Sequence, residues 1–146
     1  MFSKILLATD LGPCSDAATE MALELATRFK SQLTLVHVCE IPTYVYGGMG
    51  FSPVDLLTPV LDAAAASLAT VLAKVQKTHP HATSVLKKGN PGATLLDAAE
   101  ELTPDLIVIG THGRRGPSHL LLGSVAETMV QRAEVAVLTV RSSRQA

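Results

Sequence analysis

The stretch Asp105-Leu106-Ile107-Val108-Ile109-Gly110-Thr111-His112-Gly113-Arg114-Arg115-Gly116-Pro117-Ser118-His119-Leu120-Leu121-Leu122-Gly123-Ser124 decides the reading of this chain. Leu106 to Ile109 is an unbroken apolar run, the pattern of a strand buried on both faces, as parallel sheets require. A glycine-rich loop follows. Ser124-Val125-Ala126-Glu127 then fits the S-x-x-E capping box and predicts a helix from Ser124 to about Arg132. Strand, long loop and helix in that order are half of a βαβ unit.

Working outward, the same alternation fills the chain. Ile5 to Thr9, Leu33 to Val38 and Val135 to Val140 are further apolar runs, and Ala82 to Leu86 is a weaker fifth. Between them lie stripes at helical spacing. Ala18, Met21, Ala22, Leu25 and Phe29 form one; Leu57, Val60, Leu61, Ala64, Leu68, Val71, Leu72 and Val75 form a longer one. The start of the longer helix is open between Ser52-Pro53 and Thr58-Pro59, and an interior Pro59 would kink it. The four alanines Ala63 to Ala66 read as good helix formers with a thin side-chain layer. Another helix is expected from Ala93 to Leu102. Five strands alternating with four helices predict a single α/β domain over residues 1–146. It would be an open five-stranded parallel sheet with helices on both faces and right-handed crossovers.

Composition bounds the function. The chain has 146 residues, 47% of them apolar and 17% charged, against about 25% charged in ordinary domains. This excludes intrinsic disorder. Twelve basic against 13 acidic residues give a formal charge of −1, without the basic excess of a nucleic-acid binder. Cys14 and Cys39 are too few for a disulfide scaffold and are not spaced as a zinc knuckle. No run reaches the ~18 apolar residues of a bilayer span, and Ile5 to Ala8 is too short for a signal-peptide core. The expectation is a cytoplasmic protein that engages neither membrane nor nucleic acid.

In an open parallel sheet, ligands bind beyond the carboxyl ends of the strands, where the strand order switches. The residues there are Asp10-Leu11-Gly12-Pro13, Cys39-Glu40-Ile41-Pro42 and the long glycine loop. That loop reads as an anion site. Glycines permit close backbone approach, and Gly123-Ser124 opens a helix whose first N–H groups and dipole favour a phosphate. The Ser124 hydroxyl would add a hydrogen bond, and Arg114 and Arg115 would add charge. A plain connection with Ser124 as an N-cap fits the same residues. Neither G-x-G-x-x-G nor G-x-x-x-x-G-K-[ST] occurs, so no Rossmann fingerprint or Walker loop is present.

Gly110-x2-Gly113-x9-Gly123-Ser124 resembles the nucleotide-binding pattern G-x2-G-x9-G-[ST] of the universal stress protein family. Lys4-Ile5-Leu6-Leu7-Ala8-Thr9-Asp10, Leu35-Val36-His37-Val38 and Asp105 to Gly110 resemble that family's first, second and fourth strands. The likeness spans nearly the whole chain and is weakest from Ile41 to Pro53. It implies a Rossmann-like, adenine nucleotide α-hydrolase-like fold. It also implies ATP, ADP or AMP as ligand, with Mg2+ or Mn2+. Thr9 and Asp10 would lie against the adenosine and the Val38 backbone against the adenine. Gly110, Gly113, Gly123, Ser124 and Val125 would surround the ribose and phosphates. No protein residue is assigned as a metal ligand, and none as catalytic. The implied role is a nucleotide-responsive regulator with at most slow ATP hydrolysis. A partner-binding protein with a vestigial pocket, and a hydrolase or transferase on the same fold, remain alternatives.

The resemblance further implies a homodimer through the last strand, 135–140, with an unknown protein partner. The family usually carries proline where Ala136 stands, so an added N–H alters that pairing. Among single residues, His37 is expected as a satisfied core histidine, and His112 and His119 as solvated loop residues. Cys14 and Cys39 are expected near the pocket mouth without a redox role. Ile41 to Pro53, with three glycines and both tyrosines, reads as a lid or docking loop or as a surface connection.

Overall fold

The computed structural model describes residues 1–41, 56–112 and 122–142. Five strands are present: β1 (Lys4–Ala8), β2 (Gln32–Cys39), β3 (Thr83–Lys88), β4 (Leu106–Gly110) and β5 (Ala136–Val140). Four α-helices alternate with them: α1 (Asp16–Phe29), α2 (Leu57–Gln76), α3 (Pro91–Leu102) and α4 (Ser124–Arg132). A 3-10 turn, Pro13–Ser15, leads into α1. All pairings are parallel, in the order β3-β2-β1-β4-β5. The α/β class and the open five-stranded sheet expected from the sequence are therefore present.

The burial of each strand follows from its place. In β1, the central strand, Ile5, Leu6, Leu7 and Ala8 are all buried, and β4 beside it buries Leu106 to Ile109. The edge strands β3 and β5 have no fully buried residue. Of the two, β3 also carries Thr83, Ser84, Lys87 and Lys88, which is why Ala82 to Leu86 is the faintest strand signal.

Each face of the sheet carries its own core. On one, Ile5, Leu7, Leu33, Leu35 and Val108 pack under Ala18, Ala22 and Ala26 of α1 and Leu68 and Val75 of α2. On the other, Leu6, Ala8, Val36, Ile107 and Ile109 pack under Leu95 and Ala98 of α3 and Ala126 and Met129 of α4. The α1 stripe is rotated from the expected one. Its alanines face the sheet, while Met21 and Phe29 are exposed and Phe29 meets Phe2 edge-on at 5.4 Å. Alanine lets the helix axis approach the sheet closely, which a Met and Phe stripe would prevent.

Helix starts also depart from expectation. Pro59 lies in the first turn of α2, where its missing N–H costs no helical bond. Ser52-Pro53 lies outside the described residues. α3 begins at Pro91, with the Asn90 side chain accepting from Ala93 N, two residues before the expected start. The capping box at Ser124 does not form. Gly123, extended at φ −60° and ψ 156°, is the N-cap, which makes Ser124 the first helical residue and leaves the S-x-x-E pair one position out of register. Finally, α2 has the length and mean hydropathy of a helix able to cross a membrane, although Thr58, Asp62, Ser67, Thr70 and Lys74 interrupt it and no run of ~18 apolar residues is present in it. Here it packs on the sheet through Leu68 and Val75.

Candidate functional site

The strand order reverses between β1 and β4, and their carboxyl ends open into a cavity of about 1040 Å³. Its walls come from the ends of β1, β2 and β4, from the first half of α2, and from the starts of α3 and α4.

The turn after β1 is built most tightly. Thr9 is buried, and its N–H donates to Val36 O at 3.0 Å, extending the β1–β2 pairing by one residue. The Thr9 hydroxyl accepts from Leu11 N at 3.0 Å. Asp10 Oδ1 accepts from Gly12 N at 2.8 Å and from the Ser15 hydroxyl at 2.6 Å, while Asp10 N donates to Ser15 Oγ at 3.1 Å. These bonds hold Leu11 in the left-handed region at φ 66°, a conformation that costs a bulky side chain about 1–2 kcal/mol. One carboxylate oxygen is thus fully engaged by the turn. The other, Oδ2, is buried and has no hydrogen-bond partner among the described residues. An orphaned buried carboxylate oxygen is costly unless a donor completes it.

At the end of β2, His37 is half-buried, and its Nδ1 lies 2.8 Å from Thr9 O. A carbonyl only accepts, so Nδ1 carries the hydrogen. The expectation of a satisfied histidine holds, yet the residue lines the cavity as well, with Val38, Cys39 and Glu40. Cys39 is buried and Cys14 partly so. Cys39 alone of the two is in the cavity wall.

The β4–α4 side supplies the open helix start. Thr111 N donates to Val140 O at 2.9 Å, and Gly123 N donates to Thr111 O, so α4 is tied directly to the exit of β4. No side chain caps α4. Among the described residues, its first N–H groups therefore have no side-chain acceptor. Gly110 is closely packed: a Cβ there would stand 3.3 Å from Cys14 O, a tight contact that the backbone around Cys14 would have to relieve by a few tenths of an ångström.

Thr9, Asp10, Val38, Gly110, Gly123, Ser124 and Val125 all line this one cavity, although 115 positions separate the first from Ser124. Gly113, Arg114, Arg115 and His119 lie outside the described residues, as does 42–53 of the expected lid or docking loop. Other lining residues escaped the sequence reading: Ser15, Asn90, Thr111, Thr128, and Val60, Ala63, Ala64 and Ser67 of α2; His112, expected as a solvated loop residue, is instead half-buried and lines the cavity. His112 Nδ1 lies 3.0 Å from the Thr111 hydroxyl. Only Ser15 had a local signal, its hydroxyl being placed to meet Asp10 across a tight turn; the α2 residues read as ordinary helix.

An open parallel sheet with a large cavity at the strand-order switch is the architecture of Rossmann-like α/β domains, which take ligands in that crevice. Comparison with known proteins narrows this. The chain belongs to the universal stress protein family, whose pattern matches residues 1–141. It is 34% identical over 143 residues to universal stress protein A homolog 1 of Coxiella burnetii, covering 95% of this chain and 96% of that one. A solved universal stress protein from Lactobacillus plantarum superposes with a TM-score of 0.78 at 25% identity, covering 95% of this chain and 97% of that one. Two further solved relatives share the fold at 22% identity. One, from Arabidopsis thaliana, has AMP bound (TM-score 0.67, covering 97% and 92% of the two chains), and another is in complex with cAMP (TM-score 0.70, 97% and 98%).

Proposed function

We propose that this protein binds an adenine nucleotide in the cavity and acts as a nucleotide-responsive regulator, with ATP as the ligand. The observation that carries the reading is the meeting, in one cavity, of an orphaned buried Asp10 oxygen with an uncapped helix start. A nucleotide complements both, because its sugar or base offers donors and its phosphates are acceptors only. The AMP and cAMP complexes of structural relatives support the same ligand class.

In this reading Asp10 receives a donor of the nucleoside, and the backbone of Val38 meets the base. The α4 start takes a phosphate through its N–H groups and the Ser124 hydroxyl. Among the described residues no three His, Cys, Asp or Glu side chains cluster as a metal site. Mg2+ or Mn2+ would therefore enter on the phosphate oxygens and water, the usual mode for Mg2+. Ligand binding shifts the protein between states that a partner distinguishes. A homodimer through the edge strand β5 and a cytoplasmic location complete the proposal.

Denaturing the freshly purified protein and identifying released nucleotide by chromatography and mass spectrometry tests it. An adenine nucleotide near one per chain, or calorimetric binding of ATP with Mg2+ that Asp10→Ala weakens, is the expected result. No released nucleotide and no heat with ATP, ADP or AMP would overturn it. Sustained multiple-turnover hydrolysis would replace the regulator with an enzyme.

A further inference from the structure

α2 is packed along only half its length. In its second half, Leu68 and Val75 are buried under the sheet with Val71 and Leu72 beside them. Among the described residues of its first half, Leu57 to Ser67, none is buried. Yet the apolar stripe does not stop there, since Val60, Leu61 and Ala64 continue it at the same spacing. Val60, Ala63, Ala64 and Ser67 instead line the cavity.

Strand alternation shows what they face. Thr9 and His37 have the parity of Ile5 and Leu7, and of Leu33 and Leu35, which pack on the α1–α2 side. Val36 and Val38 belong to the α3–α4 side, with Leu95, Ile109 and Val125. The cavity therefore crosses the carboxyl edge of the sheet. Its β4–α4 end offers helix N–H groups, and its β2–α2 end offers an apolar helix face with nothing larger than alanine or serine at 63, 64 and 67.

We propose that the first half of α2 is the wall against which the base of the nucleotide packs, with Ala64 and Ser67 setting the depth of the base compartment. This rests on the nucleotide reading, with the base at the β2 end and the phosphates at the α4 start, and adds the α2 wall and its size limit. A nucleotide is itself divided in the same sense, with anionic oxygens at one end and a flat, weakly polar ring at the other. With the phosphates at the α4 start, the ring is directed to the β2–α2 end. There it packs on the part of the stripe, before Leu68, that the sheet leaves uncovered. Alanine and serine at the wall leave ring-sized space, and the Asp10 oxygen lies between the two ends for a donor of the nucleoside.

The test compares AMP with ribose 5-phosphate, which keeps the sugar and phosphate and lacks the base. Both are titrated by protein NMR into the wild-type protein, Ala64→Leu, Ser67→Leu and Ala73→Leu. Ala73 is exposed in the second half of α2 and outside the cavity wall, so its variant controls for a general change in the helix. Filling the compartment is expected to weaken AMP about tenfold or more at 64 and 67. Ribose 5-phosphate binding, thermal stability and the Ala73→Leu variant are expected to stay unchanged. AMP affinity unaltered at both positions, or both ligands weakened equally, would overturn the wall. A wild-type protein that binds neither ligand would instead overturn the nucleotide reading, and the wall with it.

Discussion

Two helices start at the rim of the same cavity and end their backbones differently. α3 is closed: Pro91 sits at its first position, and the Asn90 side chain accepts from Ala93 N at 3.1 Å. α4 is open: Gly123 is its N-cap and offers no side chain, so no residue of its own closes the first turn. Both helices bury a face on the same side of the sheet, so packing does not account for the contrast. A cap that satisfies its own N–H groups stabilises the fold, whereas an end left open over a cavity keeps its donors for something else.

Substitutions at the two ends can break or sharpen that contrast. The largest effect is expected from Ser124→Asp, which places a carboxylate where a phosphate would sit. Nucleotide affinity should fall on the order of a hundredfold through lost hydrogen bonds and like-charge repulsion. The melting temperature should stay level or rise, because an acidic residue suits a helix start. Calorimetry alongside a thermal melt reads both, and unchanged affinity would mean that the open end is not a phosphate site.

Next in size is Gly89→Ala, just before the closed end. Gly89 has φ 137°, and a Cβ there would stand 2.7 Å from Thr94 Oγ1. Stability should drop by about 1–3 kcal/mol in chemical denaturation. A loss under 0.5 kcal/mol would show that the turn into α3 relaxes freely.

Asn90→Ala should cost about 1 kcal/mol by removing the cap. Nucleotide affinity should hold within about twofold if α3 only borders the ligand; a large loss would make the closed end a binding element too. Smallest of all, Ser124→Ala should leave stability within about 0.5 kcal/mol, since its hydroxyl caps nothing in the described structure. A loss comparable to that of Asn90→Ala would mean that a capping bond forms at α4 in solution.

The fold was legible because buried parallel strands write themselves as unbroken apolar runs. Leu106 to Ile109 and Ile5 to Ala8 are the central pair, and they gave the clearest signals. Thr83 to Lys88 borders solvent and alternates too weakly to stand out. The site was legible where residues sit at strand ends or in the glycine pattern, as Thr9, Asp10, Gly110 and Gly123 do. It was not legible on α2. A helix that lines a cavity has the same periodicity as one that packs on a sheet, so Ala63 to Ala66 read as filler. The capping box misled for a related reason: a motif specifies spacing, while the residue that takes the extended conformation sets the register. Gly123 took it.

The two carboxylate oxygens of Asp105 accept from the N–H groups of Ser3 and Lys4, across separations of 102 and 101 residues. Beside this latch, Ile5 to Ala8 of β1 pair with Leu106 to Ile109 of β4. During synthesis, β1, β2 and β3 emerge well before β4 exists. Until about residue 110 leaves the ribosome, β1 carries an unpaired apolar edge, the kind of edge that invites aggregation. Half of this chain is therefore not a smaller working protein. A truncation before Leu106 should yield insoluble material, and a newly made chain should need its most protection during the interval between its third and fourth strands.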